Sequence, residues 1–152
     1  MKDIEIEIRP IAYVEVEETL GRVMENTSKI VFLEDLEEAL TGIEDFSHLY
    51  IIYWLHKIKP WSCPLKVHPR GNRILPLVGI FATRTPLRPN PLGLTIVKLV
   101  ERNRNVLRVK GLDAHDGTPV IDVKPYAPSD IGEWSTPSWW MKLHRQRENN
   151  KF

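Results

Sequence analysis

The sequence is poor in cysteine and has no long apolar run. Cys63 is the only cysteine among 152 residues, so no disulfide can form within the chain, and we exclude a disulfide-stabilised exported scaffold. The longest apolar candidate, Leu49–Leu55, has the length of a strand and falls far short of the ~20 residues that a membrane span needs. The first residues alternate acidic and apolar side chains, so we expect no secretory signal. These absences favour a cytoplasmic protein.

Glycine-rich nucleotide motifs and local metal motifs are also absent. The eight glycines are nowhere closer than six residues apart, which excludes both the G-x-G-x-x-G turn and the G-x-x-x-x-G-K phosphate loop. The five histidines are scattered, and neither H-E-x-x-H nor C-x-x-C occurs. We therefore exclude a Rossmann-type nucleotide site and expect no metal site.

The charge is divided unevenly between the two parts of the chain. The formal net charge is only +1, but residues 1–50 hold four basic and thirteen acidic residues, a net charge of −9. Residues 51–152 hold the other seventeen basic and seven acidic residues, a net charge of +10. Either an anionic partner binds the basic part, or the two parts neutralise each other across the fold or a dimer interface. Charge alone does not decide between these interpretations.

Alternating and β-branched segments predict a mainly β fold. The predicted strands are Ile4–Ile8, Ala12–Val16, Lys29–Leu33, His48–Leu55, Leu77–Thr83, Leu94–Val100, Val106–Leu112 and Val120–Val123. Residues 103–105 predict a hairpin turn, and the prolines of residues 57–76 predict a long irregular loop. Leucines at helical spacing and early acidic residues predict a helix over Glu34–Leu40.

These elements favour one small β-barrel-like domain with one or two helices. We assign residues 1–128 to this domain and residues 129–152 to a C-terminal tail. Trp139, Trp140, Met141 and Leu143 in that tail predict a final helix over Ser138–Phe152, which would pack on the barrel or on a partner subunit.

The segment Gly79–Leu94, GIFATRTPLRPNPLGL, is the first candidate for function. Its three prolines fix the backbone and remove hydrogen-bond donors, which holds Arg84 and Arg88 on a stiff chain. Arginine is suited to the forked recognition of carboxylate or phosphate. The alternative is a stiffened barrel corner whose arginines pair with acidic residues of the N-terminal part.

The segment Gly111–Tyr126, GLDAHDGTPVIDVKPY, is the second candidate. Asp113 and Asp116 lie three residues apart beside turn-forming residues, and they could bind hydroxyls, a cation or an amine, or act as a base. Asp116 could equally cap its own turn. Asp122, Lys124 and Tyr126 alternate along the next predicted strand, so we expect them to share one face.

Together with IEDFSHLYIIYWLH (Ile43–His56) and HPRG (His68–Gly71), these segments resemble the TsaA-like (TrmO) family over roughly residues 1–128. The resemblance implies a small β-barrel that binds S-adenosylmethionine without a Rossmann fold, as a homodimer. It also implies methyl transfer to the exocyclic nitrogen of threonylcarbamoyl-adenosine beside the tRNA anticodon.

The resemblance places the cofactor at several positions of this sequence. The implied contacts are Asn26, Thr27, Ser28, His56, Lys57, Arg88, Lys98, Asp113, Ala114, His115, Asp116 and Gly117. Bacterial members carry Pro-Arg-Gln where this chain reads Glu-Asn-Thr-Ser at residues 25–28, and their C-terminal extension is longer. We assign RNA contacts to Arg70, Arg84 and Lys124.

Methyl transfer from a sulfonium needs no protein nucleophile, but the acceptor nitrogen must lose a proton. The candidates to accept it are Asp116, Asp122 and Tyr126. Planar adenine suits an aromatic stacking partner, for which Trp61 is the best exposed candidate among the five tryptophans. Two competing hypotheses are a non-catalytic RNA- or nucleotide-binding barrel, and an enzyme that uses the same cofactor on a free nucleotide.

Overall fold

The computed structural model describes residues 4–130, which contain eight β-strands and six short 3₁₀-helices. The strands are β1 Ala12–Glu18, β2 Thr27–Phe32, β3 His48–Trp54, β4 Lys66–Val67, β5 Val78–Gly79, β6 Leu92–Asn103, β7 Val106–Lys110 and β8 Pro119–Pro125. The 3₁₀-helices are Val23–Glu25, Glu34–Leu40, Ile43–Asp45, Pro69–Gly71, Ile80–Ala82 and Pro128–Asp130. No helix in residues 4–130 has the length and apolar character needed to cross a bilayer.

Six of the strands close into an antiparallel barrel in the order β1-β2-β7-β6-β3-β8. The ring closes because β8 pairs back with β1, with Val120 opposite Ala12. Leu49, Ile51 and Tyr53 alternate into the interior of the barrel, as the period of a half-buried strand requires. The mainly β fold class predicted from the sequence is confirmed.

The ring order forces two connections to cross the ends of the barrel. β2 lies opposite β3 in the ring, and β7 lies opposite β8. The β2–β3 connection, residues 33–47, therefore crosses one end and buries Leu40. The β7–β8 connection, residues 111–118, crosses the other end and buries Leu112. We call the second end the barrel mouth.

A long excursion, residues 55–91, leaves β3 at the barrel mouth and returns to β6. Its two ends meet where the Leu55 N–H donates to the Pro91 carbonyl at 2.8 Å. The two-stranded sheet of β4 and β5 lies inside it. Leu75 and Ile80 are 4% and 2% exposed, although neither belongs to the core cluster of the barrel. The excursion is thus a structured lobe with its own small core, and we call it the lobe.

Two of the predicted strands are wrong. Ile4–Ile8 forms no strand, and its three isoleucines are 47–82% exposed. The alternation of apolar and acidic residues is typical of an edge strand, but the closed barrel has no free edge. β1, the next strand in the sequence, already pairs with β2 on one side and with β8 on the other. The Leu77–Thr83 strand is limited to Val78–Gly79, because the chain then turns into a 3₁₀-helix whose end is closed by the Thr83 hydroxyl donating to the Ile80 carbonyl.

The predicted helix over Glu34–Leu40 is present as a 3₁₀-helix with those bounds. The turn at residues 103–105 is also confirmed, with Arg104 at a positive φ of 53° between β6 and β7. The helix predicted for Ser138–Phe152 lies outside the described residues. The division into a domain of residues 1–128 and a tail stays a prediction.

Glu17 links three neighbouring strands of the barrel wall. Its carboxylate lies 2.7 Å from Arg108 Nε on β7 and 3.1 Å from Lys29 Nζ on β2. These hydrogen bonds, the one from Arg108 first, lower the pKa of Glu17 below its usual value. A carboxyl whose pKa is lower in the folded state than in the unfolded state stabilises the fold when the pH is above the unfolded-state pKa. This stabilisation is lost as the pH falls through the folded-state pKa.

We therefore expect Glu17→Gln to lower the Tm at neutral pH and to have less effect as the pH falls below about 4. The measurement is thermal unfolding of both proteins across that pH range. Glu15→Gln is the matched control, since Glu15 lies on the same strand and forms no ion pair within residues 4–130. A Tm difference that does not change with pH would contradict the role of the charge.

Candidate functional site

The loop across the barrel mouth is fixed at both of its ends by backbone hydrogen bonds. The Gly111 N–H donates to the Asn26 carbonyl at 3.0 Å, and the Gly117 N–H donates to the Val14 carbonyl at 2.8 Å. Both glycines have positive φ, 89° and 72°, a conformation that glycine adopts without steric cost. The loop between them is therefore held in one position while its polar side chains remain exposed.

Asp116 anchors the same loop to the barrel wall. Its Oδ1 accepts a hydrogen bond from the Val16 N–H at 2.9 Å, although the two residues are 100 positions apart. The Asp116 carboxylate thus binds β1, whereas capping of its own turn was the alternative. Asp113, His115 and Asp116 are all exposed on the loop, and Ala114 packs against the core.

Tyr53 supports the loop from inside the barrel. Its hydroxyl donates to the Asp113 carbonyl at 2.7 Å and lies 3.1 Å from the Thr95 hydroxyl. Burial raises the pKa of Tyr53 above its usual value, so the hydroxyl keeps the proton that it donates. Tyr53 thereby fixes the backbone of Asp113 to the rigid wall of β3.

Gly93 makes room for the Tyr53 ring. The two residues are paired across β3 and β6, and a Cβ atom on Gly93 would lie 2.2 Å from the ring carbon Cε2. Any side chain at position 93 would displace the ring, and with it the hydroxyl that holds Asp113.

The predictions from sequence missed Tyr53. It was assigned only to a buried strand, because the packing partner Gly93 is forty residues away in the chain and the acceptor is a backbone carbonyl. The glycine in an otherwise apolar strand was an available indication, since such a glycine often marks close approach of another group.

His56 lies at the mouth, directly after β3. Its Nδ1 atom is 3.4 Å from the hydroxyl of Thr118, where the crossing loop enters β8. His56 and Lys57 are both exposed. The structure therefore brings His56 to the same end of the barrel as Asp113–Gly117, as the predicted cofactor site requires.

The Arg88 side chain folds back on its own segment. Its Nη1 donates to the carbonyls of Thr83 and Thr85 at 3.0 and 3.4 Å, and its guanidinium lies 5.5 Å from the centre of the Phe81 ring. The half-buried guanidinium thus stiffens residues 81–88. Arg84 is exposed and forms no ion pair or hydrogen bond within residues 4–130.

The Asn26–Ser28 segment also borders the mouth. The Asn26 side chain accepts from the Leu20 N–H at 2.8 Å, and Thr27 and Ser28 are 3% and 1% exposed. Ser28 shares its face of β2 with the core residues Ile30 and Phe32, so its side chain lies inside the barrel.

Asp122, Lys124 and Tyr126 share one face of β8, as predicted, but this face is the outer wall. Asp122 Oδ2 forms an ion pair with Lys124 Nζ at 2.6 Å. The Tyr126 ring lies 5.2 Å from the ring of Tyr50, and the backbone N–H of Tyr126 donates to the His48 carbonyl at the start of β3.

Asp116 precedes β8 and Tyr126 follows it, so they lie at opposite ends of a strand roughly 20 Å long. Of the three candidates to accept the proton, only Asp116 lies at the mouth.

The remaining predicted contacts lie on β6 and in the lobe. Lys98 is exposed on β6, opposite His48 and Lys110. Arg70 is exposed in the lobe and has a positive φ of 53°. The assignments of Lys98 to the cofactor and of Arg70, Arg84 and Lys124 to RNA stay predictions. Within residues 4–130, no group of three or more histidine, cysteine or acidic side chains could hold a metal ion.

The mouth combines cations, carboxylates and an imidazole on a rigid frame. The segments that border it carry three exposed charged residues, Lys57, Asp113 and Asp116, and the half-buried Arg88. His56 lies beside Thr118. Such a site can bind a ligand that carries both a carboxylate and a positive charge, because each has a complementary partner.

Comparison with known proteins gives matches over most of the chain. Residues 19–130 match the family model of the tRNA-methyltransferase O N-terminal domain. A probable S-adenosyl-L-methionine-binding protein of Methanothermobacter thermautotrophicus is 44% identical over 133 residues, which cover 83% of this chain and 93% of that protein.

Two further matches extend beyond the length of this chain. The human tRNA (adenine(37)-N6)-methyltransferase is 42% identical over 102 residues, which cover 66% of this chain but 22% of the human protein. The crystal structure of TrmO from Pseudomonas aeruginosa superimposes with a TM-score of 0.69 at 26% identity, over 90% of this chain and 63% of that chain. This chain thus spans less than two thirds of the solved protein.

Tyr53→Phe removes the hydrogen bonds to Asp113 and Thr95, and we expect it to lower the free energy of unfolding by about 1–2 kcal/mol. Urea denaturation is the measurement. Tyr50→Phe is the matched control, because Tyr50 lies on the outer wall of the same strand and its hydroxyl makes no hydrogen bond in the described part of the chain. Equal effects of the two substitutions would show that the Tyr53 hydroxyl does not support the loop.

Proposed function

Because the chain belongs to the tRNA-methyltransferase O family, matched over residues 19–130, we propose that it is an S-adenosylmethionine-dependent tRNA methyltransferase. The acceptor that we propose is the N6 atom of adenosine 37 in its threonylcarbamoyl form. The human relative is named for the N6 position of adenine 37, and the motif resemblance supports the threonylcarbamoyl group. The observation that carries the proposal is the convergence of His56, the Asp113–Gly117 loop and the Arg88 segment on one end of the barrel.

The residues at the mouth fit the chemistry of S-adenosylmethionine. This cofactor presents a carboxylate, an ammonium group, a sulfonium and ribose hydroxyls. Lys57 and Arg88 are suited to the carboxylate, and Asp113 and Asp116 to the ammonium group or the hydroxyls. When bound, the cofactor supplies an electrophilic methyl group.

The main contribution of the protein is then positioning. No protein nucleophile is required, and holding the reacting groups in line can supply ~7–11 kcal/mol of the barrier. Tyr53 fixes Asp113 through the 2.7 Å hydrogen bond, and the Arg88 guanidinium fixes the Thr83 and Thr85 carbonyls. Both contacts make the mouth rigid before any ligand arrives.

We propose Asp116 as the group that accepts the proton of the acceptor nitrogen. One of its oxygens is held by the Val16 N–H, which orients the carboxylate at the mouth. Asp122 is instead paired with Lys124 on the outer wall, and Tyr126 lies at the other end of β8. General-base catalysis of this kind requires a group within hydrogen-bond reach of the proton, so location favours Asp116.

We also propose that the protein is a cytoplasmic homodimer. Leu92, Leu94 and Ile96 are 40%, 64% and 41% exposed on the outer wall of β6. A row of exposed apolar side chains on an ordered strand is typical of a surface that is buried in an assembly. A second subunit would cover this row.

The proposed activity is tested with labelled S-adenosylmethionine and total tRNA from cells with and without threonylcarbamoyl-adenosine. We expect label to enter only the tRNA that carries this modification. No incorporation into either tRNA pool would refute the enzyme and leave a non-catalytic RNA-binding barrel. Incorporation only into tRNA without the modification would refute the substrate.

We expect Arg88→Ala to weaken cofactor binding by at least tenfold, because it removes a charge-assisted contact and loosens residues 81–88. Isothermal titration with S-adenosylmethionine measures the effect. Arg73→Ala is the matched control, since Arg73 is an exposed arginine of the same lobe and forms no hydrogen bond to the mouth within residues 4–130. If both variants bind the cofactor as the unsubstituted protein does, Arg88 is not part of the site.

A further inference from the structure

The lobe, residues 55–91, has a composition unlike the rest of the chain. It contains seven basic residues and no acidic residue, namely Lys57, Lys59, Lys66, Arg70, Arg73, Arg84 and Arg88. Lys59, Arg73 and Arg84 are exposed and form no ion pair within residues 4–130. Glu17 and Glu44, in contrast, neutralise basic residues of the barrel wall. The positive potential of the lobe therefore faces solvent and attracts a polyanion.

Trp61 is the largest aromatic side chain that the lobe exposes. It is 78% exposed, although the lobe has a buried core of its own at Leu75 and Ile80. Its φ is +58°, in the left-handed region that glycine or asparagine adopts with less strain. Neither packing nor the turn therefore accounts for a tryptophan here, whereas an exposed indole offers a flat face to a planar ligand.

Hydrogen bonds place Trp61 beside the candidate cofactor site. The Trp61 N–H donates to the Pro89 carbonyl at 3.1 Å, next to Arg88. The preceding residues of the same segment lead back to His56, which contacts Thr118 at the mouth. A ring stacked on Trp61 would thus lie beside residues 88–91, the segment that returns to the mouth at Pro91.

We propose that the lobe is the RNA-docking surface of this protein and that Trp61 is its base-stacking platform. This inference rests on the proposed function for the identity of the RNA. A base of a single-stranded loop stacks on the indole, and the lobe cations contact the flanking phosphates. Single-stranded RNA is favoured over duplex RNA, because its bases can leave the stack and present their faces to an aromatic side chain.

The test measures binding of the full chain to a labelled, unmodified tRNA anticodon stem–loop by fluorescence anisotropy at several salt concentrations. Trp61→Ala is expected to raise the Kd about tenfold, since stacking of one base contributes an effect of that size. Trp61→Phe is expected to restore most of the affinity. Leu65→Ala is the matched control, because Leu65 is 81% exposed in the same lobe but cannot stack.

Salt dependence separates stacking from charge. Arg84→Gln is expected to reduce the slope of log K against log salt by about 0.7, the value for loss of one phosphate contact on a single strand. Trp61→Ala is expected to leave this slope unchanged while weakening binding at every salt concentration. A fully paired RNA of the same length is expected to show no dependence on Trp61.

Two results would overturn this inference. One is a stem–loop affinity that is the same in Trp61→Ala and the unsubstituted protein. The other is loss of S-adenosylmethionine affinity in Trp61→Ala without loss of RNA affinity, which would assign the indole to the cofactor adenine. If the unsubstituted protein binds the stem–loop through Trp61 but transfers no methyl group to tRNA that carries threonylcarbamoyl-adenosine, the proposed function fails and the docking surface remains.

Discussion

The functional end of the molecule depends on the position of β7 opposite β8 in the six-stranded ring. Because these consecutive strands are not neighbours, residues 111–118 must cross the barrel, and Leu112 enters the core as they do so. The crossing brings a short polar loop of the second half of the chain into contact with the first half. The Asn26 and Val14 carbonyls and the Val16 N–H hold it there. Its position is therefore set by the wall of the barrel, as is common for functional loops on rigid scaffolds.

Asp116 and Arg88 each have two roles, one in the local structure and one in the proposed cofactor site. Asp116 binds the Val16 N–H, and Arg88 binds the Thr83 and Thr85 carbonyls, so both side chains stabilise the local structure. Each also carries a charge that suits the proposed cofactor. Substitution of either residue therefore changes the shape of the site together with its charge. Tyr53 has only a structural role: it is buried beneath the loop and holds the Asp113 carbonyl.

The sequence predicted those features that depend on local pattern. The His48–Leu55 strand was found almost to its ends, because its residues alternate between the core and a partly covered outer wall. The same alternation failed for Ile4–Ile8, since a pattern of this kind does not reveal whether a partner strand exists. The common face of Asp122 and Tyr126 was also predicted correctly. That this face is the outer wall, away from Asp116, follows from the ring order, which no local pattern contains.

The hydrogen bond between the Leu55 N–H and the Pro91 carbonyl has a consequence for how such proteins diverge. β3 and β6 are adjacent and antiparallel, so the whole lobe takes the place that a tight hairpin turn would occupy between them. The entropy of loop closure grows slowly with length, so this insertion point tolerates exchange of one lobe for another. The register of the barrel and the crossing loop would remain unchanged. Exchange of the lobe would then change the charged surface beside the mouth while the barrel that holds the crossing loop stays the same.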